Sequence, residues 1–164
     1  MDAFTDFVAE RTPALFRVAY ALTGNQHAAE DLLQTALAKT YARWSRISGD
    51  AEQYVRRVLY HDSVSIWRRR GRRPETSMPS VPDRPDTDTA DDTILRLMLR
   101  DALLSLPPRQ RAVVVLRYLD DLDEKQVADI MGCSPGTVAS QASRALARLR
   151  RTVAPHAFLE GIPS

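Results

Sequence analysis

The sequence predicts an all-α fold made of two small helical domains joined by a linker. Apolar residues recur at helical spacing in both halves of the 164-residue chain, and no segment shows the apolar–polar alternation of a strand. Between the halves, residues 71–90 contain four prolines and few apolar side chains. Because a structureless stretch of this length is unusual inside one compact domain, we place the boundary there. We expect domains at 1–70 and 93–152, a linker at 71–92 and a tail at 153–164.

Three helices are expected in the first half. The helical spacing of apolar residues covers residues 2–22, 27–44 and 51–69. Asn25 and Asp50 stand where side chains commonly cap the second and third helices. Pro13 is expected to kink or divide the first helix, because proline removes one backbone hydrogen bond.

Four further helices are expected in the second half. Their apolar spacing covers residues 94–106, 108–118, 124–131 and 135–151. Pro107 and Pro108 end one helix and can start the next. The valine run 113–115 would suit a strand by itself, but its surroundings have helical periodicity and favour a helix. We expect the residues after Arg151 to form a frayed tail.

The C-terminal segment has the pattern of a helix-turn-helix. Asp123 can cap the first helix, and Gly132 follows it where a positive φ is needed. Ser134 can cap the second helix, and Val138 is the apolar residue placed to pack between the two. These features together indicate a DNA-binding module, although a plain helical hairpin with a solvated polar face would share some of them.

The second helix of this module has a polar face that can contact the major groove. Its side chains can hydrogen-bond base edges and phosphates. We predict that this face binds DNA through Ser134, Thr137, Ser140, Gln141, Arg144 and Arg148.

The charge distribution supports a polyanionic partner. Residues 41–73 contain nine basic and three acidic residues, a net charge of +6, and residues 134–164 carry +3. Residues 74–101 carry −4, so two basic blocks flank an acidic middle. The basic residues are almost all arginines, which suit bidentate contacts to phosphate and bases. Solvated surface charge is the alternative explanation for either block alone.

Composition excludes several other classes of protein. No apolar run approaches the roughly 18 residues of a membrane span, and the N-terminus lacks the basic start of a signal peptide. The single cysteine, Cys133, excludes a disulfide framework and suits a reducing, cytoplasmic compartment. The three histidines are widely spaced, so we expect no metal site and no cofactor. No catalytic set or phosphate-binding glycine loop is apparent, and we therefore expect no enzymatic activity.

Both halves resemble regions of bacterial sigma factors. LPPRQRAVVVLRY at 106–118 and the helix-turn-helix that follows it resemble region four. AAEDLLQTALAKTYARW at 28–44 resembles region 2.2, and AEQYVRRVLYHDSVSIWRRRGRR at 51–73 resembles regions 2.3 and 2.4. Two such regions without a region-three domain are similar to the extracytoplasmic-function (ECF) group, particularly its actinobacterial members.

The resemblance implies that the protein directs RNA polymerase to promoters and assists DNA melting and transcription initiation. The implied partners are core RNA polymerase, through the clamp helices of its largest subunit and the flap of its second-largest subunit, and promoter DNA. An anti-sigma factor is a further candidate partner, and we expect a monomer when the protein is free. Two alternatives stay open: a stand-alone helix-turn-helix regulator, and a sigma-like protein that acts mainly through a protein partner. The helix at 28–44 distinguishes a sigma factor from a stand-alone regulator, since a simple repressor would not need it.

The resemblance also assigns residues to the first domain. Those matching the polymerase-docking positions are Asp31, Gln34, Thr35, Leu37 and Tyr41. Those matching positions that contact the downstream, minus-ten element are Arg57, His61, Ser65, Arg68 and Arg69. Relatives often have glutamate at Thr35, and asparagine and threonine at His61 and Asp62. An aspartate beside DNA is unexpected, so the base preference is expected to differ.

Two further expectations concern the loop before the third helix and the linker. Relatives hold an unpaired base in a pocket formed by this loop, here about residues 45–50, with Trp44 and Tyr54 nearby. For Trp44 we favour core packing. The acidic linker is expected either to thread toward the basic channels of the polymerase or to act only as a solubilising spacer.

Overall fold

The computed structural model describes residues 2–72 and 90–159, with side chains described for 2–70 and 94–152. All regular structure in these ranges is helical, which confirms the predicted all-α class. The helices are α1 (Ala3–Thr23), α2 (Gln26–Ala42), α3 (Ala51–Arg72), α4 (Ala90–Leu104), α5 (Pro108–Val114), α6 (Glu124–Met131) and α7 (Pro135–Leu159). A short 3₁₀ turn, Trp44–Arg46, precedes α3, and a π-helical turn, Val115–Leu119, follows α5.

The caps at the starts of α2 and α3 are those that the sequence predicts. The Asn25 side chain accepts a hydrogen bond from the backbone N–H of Ala28 at 2.9 Å. Asp50 accepts one from Glu52 at 2.9 Å. Each cap satisfies an N–H group that the helix cannot pair internally, and so fixes where α2 and α3 begin.

The structure differs from the expectation of a frayed tail and from one of the two outcomes expected at Pro13, a divided helix. Pro13 does not divide α1, which is continuous through it. Side chains on both sides of Pro13 are packed, Phe7 against Trp44 and Leu15 in the core, and this packing offsets the lost hydrogen bond. The tail is not frayed from residue 153, because the backbone of α7 stays helical to Leu159. Extending an existing helix costs less than nucleating a new one.

Helical backbone extends into both ends of the predicted linker, residues 71–92. The backbone is helical to Arg72 in α3 and again from Ala90 in α4. The remainder of the predicted linker, 73–89, and its proposed path lie outside the described residues.

Buried apolar side chains from both halves form one continuous cluster. In the first half it includes Leu15 and Leu59, and in the second half Leu106, Leu116 and Ile130, all nearly inaccessible to solvent. The valine run 113–115 is buried and helical, as the surrounding periodicity predicts. The two halves therefore pack against each other in this arrangement.

A buried arginine joins the two halves. Arg111 of α5 is only 8% exposed and donates hydrogen bonds to the carbonyls of Leu103 at 2.9 Å and Leu106 at 3.1 Å. It also donates to the carbonyl of Leu22, near the end of α1, at 3.0 Å. These carbonyls lie at helix ends, where backbone acceptors lack partners within the helix and carry partial negative charge. Arg111 thus ties the end of α4 to the end of α1.

The turn after α1 fits closely against the same region. Gly24 ends α1 with φ of 70°, a conformation that glycine adopts without strain. A Cβ atom at Gly24 would lie 2.7 Å from Cδ1 of Leu104, at the end of α4. Glycine here therefore permits both the turn and the close approach of α4.

We predict that Arg111→Ala lowers the free energy of unfolding by roughly 3 kcal/mol or more, because several buried carbonyls lose a charged donor at once. Urea denaturation followed by circular dichroism measures this change. Arg150→Ala is the matched control, since Arg150 is exposed on α7, and should change stability by less than about 0.5 kcal/mol. Equal effects of the two substitutions would contradict a structural role for Arg111.

Candidate nucleic-acid and polymerase surfaces

The helix-turn-helix has the local geometry that its sequence predicts. Asp123 accepts a hydrogen bond from the Gln126 backbone at 2.8 Å, and the Gln126 side chain accepts one from the Asp123 backbone at 3.0 Å, forming a capping box. Gly132 ends α6 with φ of 71°. Ser134 caps α7 by accepting from the Thr137 backbone at 3.1 Å. Val138 is fully buried between the helices, so α7 is held rigidly against α6.

The predicted polar face of α7 is exposed, but its members are not equally available. Ser134 uses its hydroxyl in the cap, and the Ser140 hydroxyl donates to the Thr137 carbonyl at 3.2 Å. Gln141 is half-buried, whereas Arg144 and Arg148 are exposed. Among the described residues, neither of these arginines pairs with a carboxylate. The two arginines are therefore the groups of this face that are most available to a ligand.

Four of the five residues predicted to contact DNA from α3 are exposed, whereas the fifth forms an ion pair with another part of the chain. His61, Ser65, Arg68 and Arg69 are exposed to solvent. The fifth member, Arg57, is partly exposed and contacts the second half of the chain.

Arg57 pairs with an acidic residue of α6. One guanidinium nitrogen of Arg57 lies 2.7 Å from a carboxylate oxygen of Asp129, which also accepts from the Gln53 side chain. The bonds from Gln53 and Arg57 hold the pKa of the Asp129 carboxyl below its ordinary value. The carboxylate is therefore charged near neutral pH and takes up part of the hydrogen-bonding capacity of Arg57.

A second acidic residue, Asp120, contacts the neighbouring arginine of α3. Arg56 is 8% exposed and donates to Asp120 and, at 2.8 Å, to Glu52. Burial lowers the pKa of Arg56, but the two carboxylates outweigh burial and the net shift is upward. Arg56 is therefore a buried, charged link between the halves, a role that its sequence context did not reveal.

The unexpected aspartate of α3 has a partner of opposite charge. The amine of Lys39, on α2, lies 2.9 and 3.1 Å from the two carboxylate oxygens of Asp62. This pair joins α2 to α3 and offsets the charge that would otherwise repel DNA phosphates.

The residues matched to polymerase docking lie mainly on the outside of α2. Asp31, Gln34 and Thr35 are exposed, and Tyr41 is 59% exposed with its ring packed edge-on against Phe4. Leu37 is half-buried and packs against the core, so only part of its side chain is accessible.

The loop before α3 borders a cavity of about 440 Å³. Tyr54 lines it, together with Arg43, just before the loop, and Arg46, within it; the sequence analysis did not single out either arginine. Asp129 forms part of the wall that comes from the second half. Trp44 instead packs against Phe4 and Phe7. It is only half-buried and lies outside the core cluster, so the expectation of core packing is met only in part.

In the part of the chain that the structure describes, no group of three or more His, Cys, Asp or Glu side chains is placed to hold a metal ion. None of the described helices is long and apolar enough to span a membrane.

Known protein families match both halves of the chain. Residues 7–73 match the model for Sigma-70 region 2, and residues 96–149 match that for Sigma-70, region 4. The chain is 41% identical to the RNA polymerase sigma-E factor of Streptomyces coelicolor over 90% of this chain and 84% of that protein. It is 31% identical to the ECF RNA polymerase sigma factor SigE of Mycolicibacterium smegmatis, over 95% of this chain and 63% of that one.

A solved structure has the same arrangement of helices. The sigma factor RpoE of Bartonella quintana, in complex with the anti-sigma factor NepR, is 27% identical with a TM-score of 0.78. The match covers 93% of this chain and 98% of that one. The two region matches, the relatives and the shared fold agree, and the chain belongs to the extracytoplasmic-function group of RNA polymerase sigma factors.

Proposed function

We propose that this sigma factor recruits core RNA polymerase through α2 and places it on promoter DNA through α3 and α7. The observation that carries the proposal is the combination, in one chain, of an exposed polar helix α2 and a helix-turn-helix with exposed arginines on α7. The polymerase would supply the chemistry, since the relatives are sigma factors, which are not enzymes.

Docking on the polymerase is assigned to the outer face of α2. Asp31, Gln34 and Thr35 are spaced three to four residues apart and share this exposed face. Such a face suits contact with another helix, which supports the clamp helices of the largest subunit as the partner.

A second contact with protein is assigned to α4. Ile94, Leu95 and Leu99 are 54%, 56% and 45% exposed, which makes an apolar surface that a lone soluble domain would not need. We assign this surface to the flap of the second-largest polymerase subunit, with an anti-sigma factor as its competitor.

Upstream-element binding is assigned to α7, with Arg144 and Arg148 as its principal contacts. Both project from a helix whose start is fixed by the Ser134 cap. Arginine donates two parallel hydrogen bonds to the major-groove edge of guanine, or to phosphate. Ala139 and Gln141 carry no charge, so these two arginines contribute most of the local attraction to DNA.

Downstream-element binding and melting are assigned to α3 and the cavity beside it. His61, Ser65, Arg68 and Arg69 supply exposed donors along the helix. Tyr54 offers an aromatic surface on which an extruded base can stack, and Arg43 and Arg46 can neutralise its phosphates. Capturing a base in this way lowers the cost of opening the duplex without ATP.

Reconstituted transcription tests the proposal. Purified core polymerase, this protein and a genomic promoter library should yield initiation at defined start sites only when both proteins are present. Sequence-specific DNA binding without core-dependent initiation would instead support a stand-alone regulator.

We predict that Arg144→Ala weakens binding to the selected upstream element by about 1–3 kcal/mol and changes the preferred base at one position. Competitive binding of the holoenzyme to single-base variants of that element measures the effect. Arg148→Ala, one helical turn further on, is the comparison. A loss that is uniform across all sequences would assign Arg144 to a phosphate instead.

We predict that Asp31→Ala combined with Gln34→Ala weakens binding to core polymerase at least tenfold, because both substitutions remove polar contacts from the docking face. Fluorescence anisotropy with labelled protein measures the affinity. Glu10→Ala is the control, since Glu10 is exposed on α1 and lies outside the docking face of α2. Unchanged circular dichroism and equal core affinity of all variants would remove α2 from the interface.

We predict that Asp62→Asn strengthens binding of the holoenzyme to downstream DNA about threefold at 0.1 M salt, because it removes a negative charge and releases Lys39. Lys39→Met should have the opposite effect. Titration at several salt concentrations measures both changes, and the difference should shrink as salt rises. A salt-independent effect would show that Asp62 acts through shape and not through charge.

A further inference from the structure

We propose that the first turn of α1 is part of the surface that docks on the polymerase. In this arrangement Phe4 holds the ring of Tyr41 in place, and Tyr41 receives an apolar side chain from a basic helix of the polymerase. The inference rests on the proposed function, because it extends the docking face assigned to α2. It adds Phe4, a residue of α1, as a positioning residue for Tyr41.

Four aromatic rings meet where α1 begins and α2 ends. The centroid of the Phe4 ring lies 4.9 Å from that of Tyr41 and 5.2 Å from that of Trp44, and both pairs are edge-to-face. Phe7 lies 5.5 Å from Trp44. Aromatic pairs prefer such arrangements because the positive edge of one ring meets the negative face of the other. Among the described residues, the contact with Phe4 is the ring contact that joins Tyr41 to this cluster.

Tyr41 is held in place without being covered. It is 59% exposed, whereas Phe4 and Trp44 are half-buried. A partner that docks on the Tyr41 ring can remove its apolar surface from water, and tyrosine is common among the residues that dominate protein interfaces. Because Phe4 already restricts the ring, less side-chain freedom is lost when a partner binds. Tyr41 therefore has the properties of a preformed anchor.

The position of Phe4 depends on the start of α1. The Asp2 side chain accepts a hydrogen bond from the backbone N–H of Thr5 at 2.7 Å, and the Asp2 carbonyl accepts one from the backbone of Asp6 at 3.2 Å. The cap satisfies an N–H group that the helix cannot pair internally, so α1 begins at a defined residue. Phe4 therefore has a fixed place in the first turn of α1.

The Tyr41 ring continues the docking face along α2. Gln34, Ala38 and Tyr41 are exposed and follow one another at spacings of four and three residues, so they share one side of the helix. Asp31 precedes Gln34 by three residues on the same side. Ala38 is small, and a helix that docks here can approach α2 closely beside the Tyr41 ring.

The charges around this surface favour a basic partner. Asp2 and Asp6 at the start of α1 are exposed, and so are Glu30 and Asp31 on α2. Hydrogen bonds from Thr5 hold the pKa of the Asp2 carboxyl below its ordinary value, so this group is charged near neutral pH. Complementary charge directs the choice of partner and speeds association. A helix with basic side chains around one apolar residue is therefore the complement of this surface.

A double-mutant cycle tests whether Phe4 acts through Tyr41. Full-length Phe4→Ala, Tyr41→Ala and the double variant are titrated against core polymerase by fluorescence anisotropy. We expect each single substitution to weaken binding about fivefold, and the double variant to bind no more weakly than Tyr41→Ala. Unchanged affinity of either single variant would overturn the proposal. A loss in the double variant equal to the product of the single losses would overturn it as well.

A milder pair of substitutions separates docking from folding. Phe4→Leu and Phe7→Leu make the same change three residues apart, and both rings contact Trp44. Circular dichroism identifies the temperatures at which both variants are folded, and core binding is compared there. We expect Phe4→Leu to bind core at least about threefold more weakly than Phe7→Leu, because of the two Phe4 is the ring that contacts Tyr41. Equal affinity would assign Phe4 to the fold alone and would contradict the proposal.

The basic character of the partner is tested by removing charge from the start of α1. Asp2→Asn combined with Asp6→Asn removes two charges, and asparagine caps a helix about as well as aspartate does. We expect this variant to bind core about threefold more weakly at about 0.05 M salt, with the difference lost at about 0.5 M. Equal binding at low salt would overturn the assignment of a basic helix to this surface.

The unsubstituted protein separates this proposal from the proposed function. If it does not bind core polymerase, the proposed function fails. If it binds core, and Asp31→Ala with Gln34→Ala weakens that binding while Phe4→Leu does not, the docking of α2 stands and the contribution of α1 is overturned.

Discussion

The packing of the two halves of the chain against each other depends on the buried guanidinium of Arg111. A charge removed from water is costly unless its donors are satisfied, and Arg111 satisfies them with carbonyls at the ends of α1 and α4. Burial lowers its pKa, yet arginine stays protonated at any pH the protein meets. Because the acceptors come from both halves, Arg111 sets where α4 and α5 lie relative to α1. That position in turn brings Asp120 and Asp129 to α3.

Five arginines among the described residues differ in how far they are bonded within the protein. Arg56 and Arg111 are buried at the contact between the halves and are fully engaged. Arg144 and Arg148 project from the recognition helix into solvent. Arg57 lies between these groups, since it is partly exposed but paired with Asp129. The net charge of the basic blocks is therefore a poor guide to which arginines can contact DNA.

Features set by neighbouring residues could be predicted from the sequence. The caps at Asn25, Asp50, Asp123 and Ser134 each depend on a backbone N–H two or three residues away, and all four form as expected. Contacts between distant residues could not be predicted. Nothing local distinguishes Arg111 from a surface arginine, and its bond to Leu22 spans 89 residues. The α1 helix also continues through Pro13 because of aromatic packing that the local sequence does not specify. The assigned polymerase and DNA contacts remain predictions.

The contact over α3 combines two ion pairs of different strength. Arg57 and Asp129 are both partly exposed, so water and salt screen this pair and it contributes little to stability. The Arg56–Asp120 pair and the bond from Arg111 to Leu22 are largely buried, and removing one partner from either would leave a buried polar group without its hydrogen bond. The buried contacts, and not the exposed pair, therefore hold the second half of the chain against the first.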